Sequence, residues 1–159
     1  MCNQTKGFTL IEIIAVLVIL AILSAVAYSR IISTGPVNNQ VAAETLKNHI
    51  RYVQLKAMNS DADAASGCKS SHGLKILANS YYMFKDCDDT IKVVLPGANS
   101  NEVSLGGSLS LSPANTNITF DRYGRPCSDL YGSTLYAANK VITLGTETIT
   151  ITKNTGFVP

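Results

Sequence analysis

An apolar segment close to the N-terminus constrains this chain more than any other feature. Residues 8–29 contain one charged side chain, Glu12. As an α-helix this segment would extend ~33 Å, and the hydrocarbon core of a bilayer is ~30 Å thick. The run from Ile13 to Ala27 is apolar on every side, which excludes an amphipathic surface helix. The segment therefore predicts a transmembrane helix. A secretory signal peptide is the alternative, but its apolar region would be shorter, ~7–15 residues.

Glu12 lies inside this apolar segment and needs an explanation. An ionised carboxylate in a bilayer costs ~2.5–3.5 kcal/mol and usually has a partner. No Lys, Arg or His occurs in residues 8–29, so the partner would be a chain terminus or another molecule, which indicates self-assembly. The alternative is that Glu12 reaches the headgroups from one turn inside the membrane. The residues alone favour neither interpretation.

The stretch from Lys6 to Glu12 reads KGFTLIE and is followed by the long apolar run. This pattern resembles the class III signal of type IV pilins and type II secretion pseudopilins. The resemblance implies that residues 1–7 are a leader, which prepilin peptidase removes by cutting after Gly7. It also implies that the same enzyme N-methylates Phe8, and that Glu12 neutralises the N-terminal amine of a neighbouring subunit.

The rest of the chain predicts an α+β domain. Gly35 and Pro36 predict a helix break or kink. Within residues 30–66 an amphipathic helix extends to about Asn59, with Asn38 or Asn39 as its cap and an apolar stripe at Val37, Val41, Leu46, Ile50, Val53 and Ala57. Residues 67–159 are strand-rich, with one hairpin turning at 78–80 and another at Gly145. The resemblance implies the same fold, a long N-terminal helix packed on an antiparallel sheet.

Three cysteines remain once Cys2 leaves with the leader. Residues that face each other across a hairpin have constant index sums, and Cys68 with Cys87 centres the turn within a residue of the predicted one. We therefore favour a Cys68–Cys87 disulfide, with Cys87–Cys127 as the second choice. A periplasmic location would permit such a bond.

Little in the sequence predicts catalysis, a cofactor or a metal site. No C-x₂-C pair is present, and the Asp-rich turn at 86–89 lacks the Gly and Glu of a calcium loop. His49 and His72 belong to no recognisable catalytic motif. The net charge of +2 argues against a nucleic-acid partner. Tyrosines could stack on single-stranded DNA, but a core or interface role is favoured for them: Tyr81, Tyr82, Tyr123, Tyr131 and Tyr136.

These features predict a non-enzymatic filament subunit. Residues 118–128, which read ITFDRYGRPCS, resemble the H pseudopilin and the minor pilins of mannose-sensitive haemagglutinin pili, which implies a minor subunit. The implied partners are prepilin peptidase, other pilin or pseudopilin subunits and the inner-membrane assembly platform. The implied location is a single pass through the inner membrane, residues 8–29, with a periplasmic C-terminal domain before assembly. The alternatives are a DNA- or surface-binding minor pilin and a signal-anchored periplasmic enzyme.

Overall fold

The computed structural model describes residues 10–32, 34–59, 67–70, 72–107 and 109–159, and within residues 25–37 it describes the backbone only. Within these residues, two helices, α1 (Leu10–Ile32) and α2 (Thr34–Asn59), precede nine strands. The strands are β1 (His72–Ile76), β2 (Ser80–Lys85), β3 (Asp88–Val93), β4 (Val103–Ser104), β5 (Leu111–Ser112), β6 (Thr116–Phe120), β7 (Pro126–Cys127), β8 (Lys140–Leu144) and β9 (Glu147–Ile151).

The chain forms two compact units, residues 1–38 and 39–159. Helix α1 lies in the first unit, and most of α2 lies with all nine strands in the second. The predicted α+β class, a helix packed on antiparallel strands, is confirmed. The predicted leader, residues 1–7, lies outside the described residues, as do residues 60–66 at the end of the predicted amphipathic segment.

Helix α2 ends at Asn59, as its pattern predicts. Its start differs from the prediction, because α2 begins at Thr34 and Asn38 and Asn39 lie inside it. The cap prediction is therefore wrong. Gly35 and Pro36 both lie inside α2, so no helix end falls at either residue.

One side of α2 supplies the core. Its buried side chains follow spacings of three and four residues, which keeps them on one stripe: Ala43, Leu46, Ile50, Val53 and Ala57. Val41, predicted to belong to this stripe, is 61% exposed. The reason is its spacing of five residues from Leu46, which turns it ~140° away around the helix. The helix therefore has a narrow apolar face directed at the sheets.

The strands form two antiparallel sheets. The first has the order β3-β2-β1-β6-β7, with β4 also paired to β2, and the second has the order β5-β8-β9. Both predicted hairpins are present, β1–β2 and β8–β9. One hydrophobic core joins the α2 stripe to residues of both sheets, among them Leu74, Met83, Phe120, Ile142 and Ile149.

The opposite face of the first sheet holds a second apolar layer. There the Phe84 ring lies over Gly73, its neighbour across the β1–β2 pair. A Cβ atom at Gly73 would lie only 2.3 Å from the Cζ atom of Phe84. The glycine is therefore needed so that the aromatic ring can cover the strand backbone.

Candidate functional site

The predicted N-terminal site is described only in part. Gly7 and Phe8, the predicted cleavage and methylation positions, lie outside the described residues. Glu12 is in the first turn of α1 and is exposed. The predicted pairing of Glu12 with the N-terminal amine of a neighbouring subunit involves a second copy of the chain and stays a prediction.

Helix α1 exposes its apolar side chains on all sides. Between Leu10 and Leu23 the large apolar residues are 49% to 78% exposed. Across the described residues, no helix combines the length and the apolar character needed to cross a membrane. The predicted transmembrane segment, residues 8–29, begins outside those residues, and its side chains from Ala25 onward are not described. It stays a prediction.

The structure joins Cys68 to Cys87, the pair that spacing favoured, with 5.8 Å between the Cα atoms. The bond lies just beyond the last register pair of the β1–β2 hairpin, His72 with Lys85. Asp86 and Cys87 form the tight β2–β3 turn in the left-handed region, with φ of 59° and 56°. The disulfide therefore ties the segment that precedes β1 to this turn.

Among the described cysteines, Cys127 is the free thiol, and it is buried. Burial, followed by the negative charges of Asp121 and Asp129, raises the pKa of this thiol to about 11. A thiol with so high a pKa is almost wholly protonated at neutral pH and is a poor nucleophile. Cys127 therefore has the properties of a small core residue.

The turn that follows β6 is organised by Asp121. Its Oδ1 accepts hydrogen bonds from the backbone N–H groups of Tyr123 and Arg125, at 3.0 and 2.9 Å. Its Oδ2 accepts from the Arg125 side chain, with Nε at 2.8 Å and Nη2 at 2.7 Å. Gly124 supplies the left-handed conformation that closes the turn, with φ of 79°. This arrangement leaves Tyr123 63% exposed at the tip.

Gln54 connects this turn to α2 and to the C-terminal segment. Its Nε2 donates to the Gly124 carbonyl at 2.7 Å and to the Thr155 carbonyl at 2.9 Å. Exposed apolar side chains lie next to each of the three joined backbone segments, and we call them the distal patch: Leu55, Met58, Tyr123 and Phe157. The patch went unpredicted, although an aromatic residue beside a turn glycine, as in Tyr123-Gly124 and Gly156-Phe157, is its sequence signal.

A groove lies at the other end of the domain, between α2 and β9. It has a volume of about 280 Å³ and is lined by Gln40, Ala43, Glu44, Lys47, Glu147 and Thr148. Lys47 donates to Glu44 at 2.8 Å, and this hydrogen bond lowers the pKa of the Glu44 carboxyl. Two carboxylates and one ammonium leave the groove with a negative balance. We call it the acidic groove.

The other residues considered for binding or catalysis have local partners. Tyr81 and Tyr82 are buried, so they are not available for base stacking. His49 Nε2 donates to the Pro96 carbonyl at 3.0 Å, which leaves Nδ1 to accept from the Tyr81 hydroxyl at 2.9 Å. Burial raises the pKa of Tyr81 to about 12. These contacts position α2 on the sheet.

The Asp-rich turn is held by contacts of its own. Asp88 accepts from the backbone and hydroxyl of Thr90, and these bonds lower the pKa of its carboxyl. Asp89 pairs with Lys75. In the part of the chain that the structure describes, no group of three or more His, Cys, Asp or Glu side chains is placed to hold a metal.

The comparison with known families gives one result. The family model of the prokaryotic N-terminal methylation motif matches residues 2–28. Comparison with curated proteins and with solved structures found no significant similarity. The motif implies N-terminal processing and assembly with other pilin subunits in general. The chain therefore carries a class III prepilin signal ahead of an α+β domain, an arrangement consistent with the family of type IV pilins and pseudopilins.

Proposed function

We propose that the chain is a structural, non-enzymatic subunit of a type IV pilus or a type II secretion pseudopilus. The methylation motif at residues 2–28 carries this proposal. The fold supports it, because the motif leads through α1 into a helix packed on antiparallel strands. The same N-terminal segment would anchor the precursor in the membrane and pack against other subunits after assembly.

Processing begins at the junction of Gly7 and Phe8. Prepilin peptidase cuts after Gly7, where a residue without a side chain leaves room for the enzyme and lets the backbone extend. The same enzyme then methylates the amine of Phe8. Residues 8–29 hold the subunit in the inner membrane, and the C-terminal domain faces the periplasm. The Cys68–Cys87 disulfide supports this location, because such bonds persist in oxidising compartments.

Assembly follows through Glu12 and the inner-membrane platform. Inside lipid there is no hydrophobic driving force between helices, so association depends on packing and polar contacts. A Glu12 carboxylate paired with the methylated amine of a neighbouring Phe8 would supply one such contact. The similarity of residues 118–128 to minor subunits supports a minor role, which quantitative analysis of filament composition would test.

Mass spectrometry of the mature N-terminus tests the processing step. The expected product begins at Phe8 and carries one additional methyl group. Replacing Gly7 by leucine should leave the full-length precursor, because its side chain occupies the cleavage position. Gly7→Ala is the matched control and should still be cut. A wild-type chain that keeps Met1 in cells with active prepilin peptidase would contradict the proposal.

A further inference from the structure

We propose that the distal patch of one subunit docks in the acidic groove of a second copy of this chain. The inference rests on the proposed filament function and names a contact between the globular domains. Both surfaces lie within residues 39–159, a single compact unit.

The distal patch combines exposed apolar area with positive charge. Tyr123 and Phe157 are 63% and 62% exposed, and Leu55 and Met58 extend the apolar area along α2. The Arg122 and Arg125 guanidinium groups lie over the Tyr123 ring, at 5.1 and 5.3 Å from its centroid. Arg125 is already paired with the buried Asp121, so the exposed Arg122 contributes a positive charge beside the ring.

The acidic groove offers the complementary features. Its concave shape can accept a projecting side chain, and Glu147 lies on its β9 side while Glu44 lies on its α2 side. Glu44 forms an ion pair with Lys47. Glu147 is therefore the carboxylate in the groove that is available to a cation. An aromatic ring entering the groove would therefore bring Arg122 close to Glu147.

The two surfaces lie along one side of α2, the groove beside its first half and the patch beside its last turns. Gln40 and Lys47 line the groove, and Gln54 beneath the patch follows Lys47 by one heptad, two helical turns. Glu44 and Met58 are separated by two heptads, roughly 21 Å along the axis. Because both surfaces face the same side, a second copy that points the same way must be rotated about the axis of α2 as well as displaced along it before its groove faces the patch.

When the second copy is rotated and displaced in this way, each copy uses its patch for one neighbour and its groove for the other, and the contact is heterologous. A heterologous contact that does not close on itself repeats as an open helical filament. Two copies with opposed helices would instead pair patch with groove twice and end at a dimer. The rotated and displaced arrangement has the symmetry that a filament requires, and a minor subunit can form it only where its copies are neighbours.

Site-directed cross-linking of the full chain in its native cells tests the contact. Thr155→Cys, at an exposed residue beside the patch that leaves the Tyr123 ring in place, is combined with Thr148→Cys in a Cys127→Ala background, which leaves the Cys68–Cys87 bond in place. Mild oxidation should produce a ladder of oligomers on a non-reducing gel. The control combines Thr155→Cys with Val94→Cys, a residue that is exposed outside both surfaces, and should give no ladder.

Charge reversal provides a second measurement on the same cross-link. Arg122→Glu or Glu147→Arg alone should lower its yield by about fivefold, the effect of a favourable exposed ion pair. The two reversals together should restore it. Restoration by the double variant would also show that neither substitution acts by unfolding the domain.

The outcomes separate this contact from the proposed function. If Phe8 is methylated and filaments assemble but the cross-link never forms, the docking proposal is wrong and the filament function stands. If the precursor stays uncut and no filament contains the chain, the proposed function itself fails. The patch could instead bind single-stranded DNA. If Arg122→Glu abolishes that binding, and the cysteine pair with Arg122 and Glu147 unchanged gives no cross-link, the second copy is the wrong occupant.

Discussion

Helices α1 and α2 are both rich in apolar residues but expose them very differently. In α1 the large apolar residues up to Leu23 are at least 49% exposed, whereas the five residues of the α2 stripe are at most 3% exposed. The residue types overlap, since Ile, Leu, Val and Ala supply both groups. What differs is their order along the chain.

The difference shows that the spacing of apolar residues along a helix determines which surroundings can bury them. The α2 stripe recurs every three or four residues, so it can be buried against one partner, the sheets of its own domain. The apolar run of α1 has no polar side, so burial against a single partner would leave apolar side chains exposed on its other sides. Surroundings that are apolar in every direction, lipid or several neighbouring helices, suit such a helix.

Matched truncations in the two helices should show the largest difference between them. Ile50→Ala removes a wholly buried side chain, so we expect the free energy of unfolding to fall by ~2–5 kcal/mol. Ile19→Ala in α1 removes a side chain that is 57% exposed and should leave unfolding of the domain unchanged. Denaturant unfolding of the full chain in detergent measures both, and equal losses would contradict the comparison.

The disulfide gives the domain a covalent constraint. Replacing Cys68 and Cys87 together by alanine releases a loop with a sequence separation of 19. Freeing a loop of this size should lower the free energy of unfolding by ~3 kcal/mol. The control is Cys127→Ser, which leaves the bond intact. Equal stability of the wild type with and without a reducing agent would show that the bond does not stabilise the domain.

Gly73 tests the second apolar layer of the domain. Gly73→Ala should lower the free energy of unfolding by ~1–3 kcal/mol, because its Cβ atom would displace the Phe84 ring. Gly106→Ala is the control, since no atom lies within 4 Å of the position its Cβ would take. Thermal unfolding of the two variants should show a lower midpoint for Gly73→Ala only.

The smallest expected effect is a pH dependence from His72. Burial, followed by the positive charge of Lys56, lowers the pKa of His72 below its ordinary 6.5. The unfolded state therefore binds this proton more readily, so stability present above pH 6.5 is lost as the pH falls through the lower folded pKa. His72→Gln should flatten this part of the profile, measured by denaturant midpoints. An unchanged slope would assign the effect to another group.

Regular spacing made parts of the fold predictable. The end of α2 at Asn59, both hairpins and the Cys68–Cys87 pair follow from local patterns and from the constancy of index sums. The start of α2 did not follow from the local pattern, because the helix already includes Thr34, ahead of the apolar stripe, and Asn38 lies inside it. Val41 was assigned to the stripe because apolar character was given more weight than its spacing.

The distal patch went unpredicted because the local signal, an aromatic residue beside a turn glycine, does not show which turns the long-range contacts bring together. Tyr123 and Phe157 are far apart in the chain, and long-range contacts that include the two hydrogen bonds of Gln54 bring their turns together beside α2. Tyr81 and Tyr82 look equally available in the sequence, yet both are buried. Local order therefore located the secondary structure, while the exposed surface required the tertiary fold.

The most direct test of the central claim is the incorporation of a Glu12→Ala variant into filaments. Filaments sheared from cells are compared with the membrane fraction by immunoblotting, and Glu102→Ala is the control for loss of an acidic residue in the domain. We expect Glu12→Ala to be processed at Phe8 and to remain in the membrane while the control enters filaments. Normal incorporation of Glu12→Ala would contradict assembly through the N-terminal helix.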